Sequence, residues 1–148
     1  MTLEFDRVFF VTTVCELRKL IFRNHDAAEL MMKTLSTYQN EGRFVLHAFV
    51  VMPDHLHLII APDATISLEK AMQFIKGGFS FQYGKKFGGA NIWQRSFTHE
   101  RIQDELDFEC RRRYVENNPV RAKLVANPAA YPYSSAYRAS SAAKAGIE

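Results

Sequence analysis

Cysteine is scarce in this 148-residue chain. The two present, Cys15 and Cys110, lie far apart and stand in no CxxC or zinc-ribbon spacing, which argues against a disulfide framework and a cysteine zinc site and for two free buried thiols in a reducing cytoplasm. Apolar runs of membrane-spanning length are missing, and no basic segment followed by a long apolar run opens the chain, so a cytoplasmic protein is expected with no membrane partner. Neither charge sign dominates: 19 Lys and Arg against 16 Asp and Glu leave a net charge of +3, which permits nucleic-acid binding without requiring it. What is present is 47% hydrophobic and 24% charged residues, enough for one compact core. A single domain over residues 1–138 is expected, with residues 139–148 as a frayed tail.

Hydrophobic periodicity divides the chain. Residues 7–15 (RVFFVTTVC) have the β-branched and aromatic make-up of a strand. Residues 26–40 carry apolar positions at helical spacing, with Asn24 or Asp26 to cap the start and Gly42 to stop the helix. Residues 43–52 and 55–61 read as a hairpin around Pro53-Asp54. Ser67 caps a second helix through Ile75, which Gly77-Gly78 kink or end unless residues 79–87 continue it. Residues 92–102 (IWQRSFTHERI) read as a fourth strand, bent or interrupted near Thr98-His99. The order β-α-β-β-α-β is the ferredoxin-like arrangement of an α+β fold, with two helices on one sheet face. A third helix over residues 104–117, ending at Asn118-Pro119, is available to cover the other face. Residues 120–125 form a short helix in this reading, and 127–137 an irregular tail on the surface.

The hairpin holds the first chemical signal. His55 and His57 lie two apart in an apolar strand, so both imidazoles point to one face. A pair of this kind is either structural or half of a metal site. With a two-residue loop, Met52 opposes His55, Val50 opposes His57 and Ala48 opposes Ile59. The motif histidines then face away from the helical core. His47 falls in the other row, with Phe49, Val51, Leu56, Leu58 and Ile60, and reads as structural; a bulge would reverse its side.

The third helix holds the second signal. Asp107, Arg111, Tyr114 and Asn118 share one stripe, which places a phenol and an amide oxygen together. Arg111, Arg112 and Arg113 cannot share one face, so one or two can reach phosphate while another pairs with Asp107, Glu109 or Glu116. Arg121 and Lys123 extend this basic segment, and Arg95 is a further candidate DNA contact. Trp93 reads as a core anchor, or as a platform for an unpaired base. Lys76, Lys85 and Lys86, interleaved with Phe79, Phe81, Tyr83 and Phe87, form either a nucleic-acid surface or an ordinary solvated face over a core.

Three motifs in this order, Met52-Pro53-Asp54-His55-Leu56-His57, Trp93-Gln94-Arg95-Ser96-Phe97 and Tyr114-Val115-Glu116-Asn117-Asn118-Pro119-Val120-Arg121-Ala122, resemble the single-tyrosine HUH transposases of insertion sequences. With Tyr131-Pro132-Tyr133-Ser134-Ser135, the chain looks closest to their REP-associated tyrosine transposase relatives. The resemblance implies a metal-dependent endonuclease and strand transferase acting on single-stranded or hairpin DNA through a 5′-phosphotyrosine. It implies His55 and His57 as metal ligands, Tyr114 as nucleophile, Asn118 as the third ligand where several relatives have Gln, and Mg²⁺ or Mn²⁺ as cofactor. It does not decide between a monomer and a homodimer. Glu116-Asn117 replaces the His-Leu pair usual in related sequences.

Three rivals remain at this level. One is a nucleic-acid-binding regulator that keeps the fold without cutting. The second is a histidine-triad-like nucleotide hydrolase, whose third alternating histidine would stand where Ile59 is. The third is a structural domain in which the histidine pair is incidental.

Overall fold

The computed structural model describes residues 5–89 and 91–139. Residues 140–148 of the expected terminal tail lie outside them. Four antiparallel strands, β1 (Phe9–Val14), β2 (Phe44–Met52), β3 (His55–Pro62) and β4 (Thr98–Arg101), form one sheet in the order β2-β3-β1-β4. Helices α1 (His25–Asn40), α2 (Leu68–Phe87) and α3 (Glu105–Arg121) complete the α+β fold in the expected β-α-β-β-α-β order plus one helix. β3 is therefore third in sequence and central in the sheet. No helix among the described residues is long and apolar enough to cross a membrane.

The two sheet faces carry two cores. Val11, Val51, Leu56, Leu58 and Ile60 pack beneath Met31 and Leu35 of α1 and Met72 and Ile75 of α2. On the opposite face Ala48, Val50, Met52 and Ile59 pack with Val115 of α3 and Tyr131. This division follows from strand alternation, and the register matches it: Met52 opposes His55, Val50 opposes His57 and Ala48 opposes Ile59.

His47 departs from its expected row. A bulge between Leu46 and Ala48 removes it from the ladder, and its exposed ring stands edge-on to Phe108 of α3 at 5.6 Å between centroids. It therefore lies on the α3 side.

Side-chain caps start all three helices, with Asn24 accepting from the Ala27 amide, Ser67 from that of Lys70 and Asp104 from that of Asp107. Past Gly77-Gly78, α2 continues without ending, because Phe79 lies in the core beyond them and the Tyr38 ring of α1 rests on Gly78. Likewise α3 runs beyond its expected end and contains Pro119. A proline in the last turn removes only one late helical bond, and the Ala122 and Leu124 amides donate to the Asn118 and Pro119 carbonyls to close the end.

The fourth strand is shorter than residues 92–102. Trp93 makes one isolated bridge to Cys15, the chain leaves the sheet, and pairing with β1 begins only at Thr98. Across the gap, Lys76 Nζ donates to the carbonyls of Gln94 and Ser96, at 3.0 and 3.2 Å. The tail is also more ordered than an irregular surface segment. The Val51 amide donates to the Tyr133 carbonyl, the Ser135 amide to the Phe49 carbonyl, and the Tyr131 hydroxyl to the Val51 carbonyl, so the tail covers the outer edge of β2.

Candidate active site

His55 and His57 occupy the start of β3, on the face that α3 partly covers. Each imidazole is held through Nδ1. His55 Nδ1 lies 2.6 Å from Asp54 Oδ1, in the turn that opens the strand. His57 Nδ1 lies 2.8 Å from the hydroxyl of Thr12, its cross-strand neighbour. These bonds leave Nε2 of both rings for a further partner, and the ring centroids are 4.6 Å apart.

The two histidines sit in different surroundings. His57 is 5% exposed, stacked on Phe10 at 5.5 Å. Burial, followed by the charges of His55 and Arg121, lowers its pKa to about 3, so the ring is neutral and its lone pair is available near neutral pH. Burial alone would raise the Asp54 carboxyl, yet hydrogen bonds from His55 and Arg18 outweigh it and hold the group below the ordinary carboxylate range.

The third helix brings Tyr114 onto this pair. Its ring stands edge-on to His57, with centroids 5.5 Å apart, and edge-on to Phe10 at 5.9 Å. Arg121, two turns further along, places its guanidinium carbon 4.2 Å from the Tyr114 ring centroid. Tyr114 is 40% exposed, and its hydroxyl has no hydrogen-bond partner among the described residues. Phe10, Thr12, His57, Cys110, Arg111 and Tyr114 line an open cleft of about 390 Å³. A phenol oriented by its ring but free at its oxygen can act as a nucleophile.

Asn118 follows one turn after Tyr114 and is buried on the sheet side of α3. Its side-chain amide makes no hydrogen bond among the described residues. Those residues contain no group of three or more His, Cys, Asp or Glu able to hold an ion. The donor set of the site is thus the imidazoles of His55 and His57, the latter neutral, with the amide oxygen of Asn118 one helical turn from Tyr114. This set fits a divalent cation whose shell is completed by oxygens of substrate and water better than a closed structural site.

The candidate DNA contacts separate into bound and free cations. Arg111 pairs with Glu100 at 2.6 Å and Asp107 at 3.3 Å and lies over Phe10. Arg112 is held by Glu109 and Glu116 at 2.7 and 2.9 Å. Arg95, Arg113, Arg121 and Lys123 are exposed and form no ion pair among the described residues. Trp93 is a core anchor: it packs between Phe22 and Phe79, and its Nε1–H donates to the Lys76 carbonyl at 3.1 Å, which removes it from the DNA contacts. Phe79 also lies in the core, with Tyr83 packed against it, whereas Phe81 and Phe87 of that aromatic run are exposed.

Thr12, Phe10 and Asp54 were absent from the residues the sequence singles out. Thr12 and Phe10 alternate on β1 toward the histidine face, a signal readable only once the β1–β3 register is known. Asp54 stood in the motif but carried only a turn signal.

Residues 7–118 match the family described as Transposase IS200 like. A Haemophilus influenzae protein named for a REP-associated tyrosine transposase is 29% identical over 102 residues, covering 62% of this chain. The chain spans 58% of the length of that relative. A solved REP-associated tyrosine transposase bound to a REP hairpin superposes with a TM-score of 0.75 at 21% identity, covering 100% of this chain and 85% of that one. A transposase-named protein from Deinococcus radiodurans gives a TM-score of 0.56 at 19% identity, over 74% of this chain and 88% of its own. At these identities the solved structures show the shared fold.

Proposed function

Because the chain belongs to the IS200-like transposase family, we propose that it is a metal-dependent endonuclease and strand transferase for single-stranded DNA, acting at hairpins formed by palindromes. The observation that carries this reading is the free Tyr114 phenol set edge-on against His57. A related solved structure named for its bound REP hairpin supports the choice of DNA substrate.

In the proposed reaction the Tyr114 oxygen loses its proton and attacks the phosphorus of a phosphodiester. The bond from phosphorus to the 3′ oxygen breaks, and that oxygen leaves as a 3′-OH after taking up a proton. The product is a 5′-phosphotyrosine, which keeps the phosphodiester energy available for rejoining to another 3′-OH. His55, His57 and Asn118 would hold Mg²⁺ or Mn²⁺, which when bound supplies positive charge to the oxygens around the reacting phosphorus. Asp54 and Thr12 hold the imidazoles in orientation, and Arg121 holds the tyrosine ring over the cleft. Arg95, Arg113 and Lys123 are free to meet the DNA backbone, whereas Arg111 and Arg112 are occupied by carboxylates.

The test is cleavage of a hairpin oligonucleotide with single-stranded flanks in Mg²⁺ or Mn²⁺. The proposal expects one fragment with a free 3′-OH and the other bound covalently to protein, with both lost in His57→Ala. Binding without cleavage under any divalent ion would instead identify a DNA-binding regulator.

A further inference from the structure

The turn between β1 and α1, residues 16–23 (ELRKLIFR), has features that folding alone does not account for. Four non-glycine residues among those described have positive φ, and two of them are consecutive here, Leu17 at 55° and Arg18 at 52°. Asn91 is of a type that adopts this region readily, but leucine and arginine are not. Leu17 is also 80% exposed, so its strained backbone is not offset by burial of its side chain, and Leu20 beside it is 49% exposed.

The turn is nevertheless fixed against the active site. The Cys15 amide donates to the Asp54 carbonyl at 2.9 Å and the Phe22 amide to the Pro53 carbonyl at 3.0 Å. Arg18 Nη1 lies 3.2 Å from Asp54 Oδ2, while the other oxygen of that carboxylate holds His55. Its charge is favourable for a polyanion: Arg18 is held by Asp54, but Lys19 and Arg23 are exposed and form no ion pair among the described residues. By contrast Arg111 and Arg112, beside Tyr114, are already neutralised. The turn adds to the unpaired Arg113, Arg121 and Lys123 of the α3 end.

We propose that this turn is a second DNA-contacting element, in which Leu17 packs against an unpaired base and Lys19 and Arg23 meet the phosphates of the strand running past His55. The inference rests on the DNA-processing reading above. Apolar side chains placed against unstacked bases and free cations on the adjoining phosphates are a usual combination in nucleic-acid contacts. The backbone strain then holds the leucine outward where folding would not.

The test measures binding of a fluorescent hairpin with single-stranded flanks, in EDTA so that metal binding at His55 does not enter, together with thermal unfolding. Leu17→Asn places a residue tolerant of positive φ in the strained position, so it is expected to melt at or above the wild-type temperature. It is expected to bind about tenfold more weakly. The double variant Lys19→Gln/Arg23→Gln is expected to reduce the slope of log affinity against log salt by about 0.7 for each lost contact. Wild-type affinity and salt slope in both variants would overturn the inference while leaving the parent reading intact. A wild-type protein that binds no DNA would overturn the parent reading and this one with it.

Discussion

The ring of Tyr114 meets that of His57 edge-on, with planes at 70° and centroids 5.5 Å apart, although the two residues lie on different elements far apart in sequence. Phe10 stacks on the same histidine and touches the same tyrosine, so one aromatic of β1 sets the spacing of both. The contact joins the face of the central strand that carries both histidines to the exposed tyrosine of an added helix.

The two imidazoles depend on their Nδ1 partners. Asp54→Asn and Thr12→Val should each weaken Mn²⁺ binding by about 10- to 100-fold, as loss of such supporting groups does at other sites. Calorimetry or electron paramagnetic resonance of the titrated protein measures this. Unchanged affinity in both would mean that the ring orientation is held by packing alone.

The cations of α3 should not be equivalent. Arg121→Gln should weaken binding to hairpin DNA and reduce its salt slope by about 0.7, because that guanidinium has no carboxylate partner. Arg112→Gln should leave the slope unchanged, since Glu109 and Glu116 already neutralise it. Equal losses in the two variants, read by anisotropy titration across salt concentrations, would contradict this division.

Alkylation should distinguish the two thiols. Burial and the Asp54 carboxylate push Cys15 up to about 12, whereas Cys110 is exposed at the cleft. Iodoacetamide near pH 8 should therefore add one group, at Cys110, and suppress DNA cleavage by filling the cleft. Modification of Cys15 first, or full cleavage by the Cys110-alkylated protein, would count against the cleft.

Adjacent glycines of α2 should respond differently to alanine. A Cβ on Gly77 meets nothing within 4 Å, so Gly77→Ala should stabilise the fold by about 0.5–1 kcal/mol. On Gly78 it would stand 2.6 Å from the Tyr38 hydroxyl oxygen, and that ring is stacked on Phe74. Gly78→Ala should accordingly be the less stable variant in chemical denaturation; equal midpoints would show that Tyr38 yields freely.

Much of this arrangement was legible in the sequence for local reasons. The Pro53-Asp54 turn and strict alternation determine the hairpin register, and with it the face of His55 and His57. Helical spacing aligns Tyr114 with Asn118. What escaped depends on partners distant in the chain. The bulge that turns His47 toward Phe108 has no residue signature of its own, and the shortening of β4 involves Lys76 taking two carbonyls from another element. Pairing of Arg111 with Glu100 requires knowing that β4 lies beside α3. Asn118-Pro119 reads as a stop in sequence because proline disfavours helix interiors, but in a final turn one missing donor is tolerated.

Peptide mapping of the protein after reaction with hairpin DNA in Mn²⁺ identifies the residue that attacks the phosphodiester. With Tyr114 as nucleophile, a nucleotide adduct is expected on the peptide containing Tyr114, absent in Tyr114→Phe while that variant still binds the DNA. An adduct on another residue, or one that persists in Tyr114→Phe, would contradict that assignment.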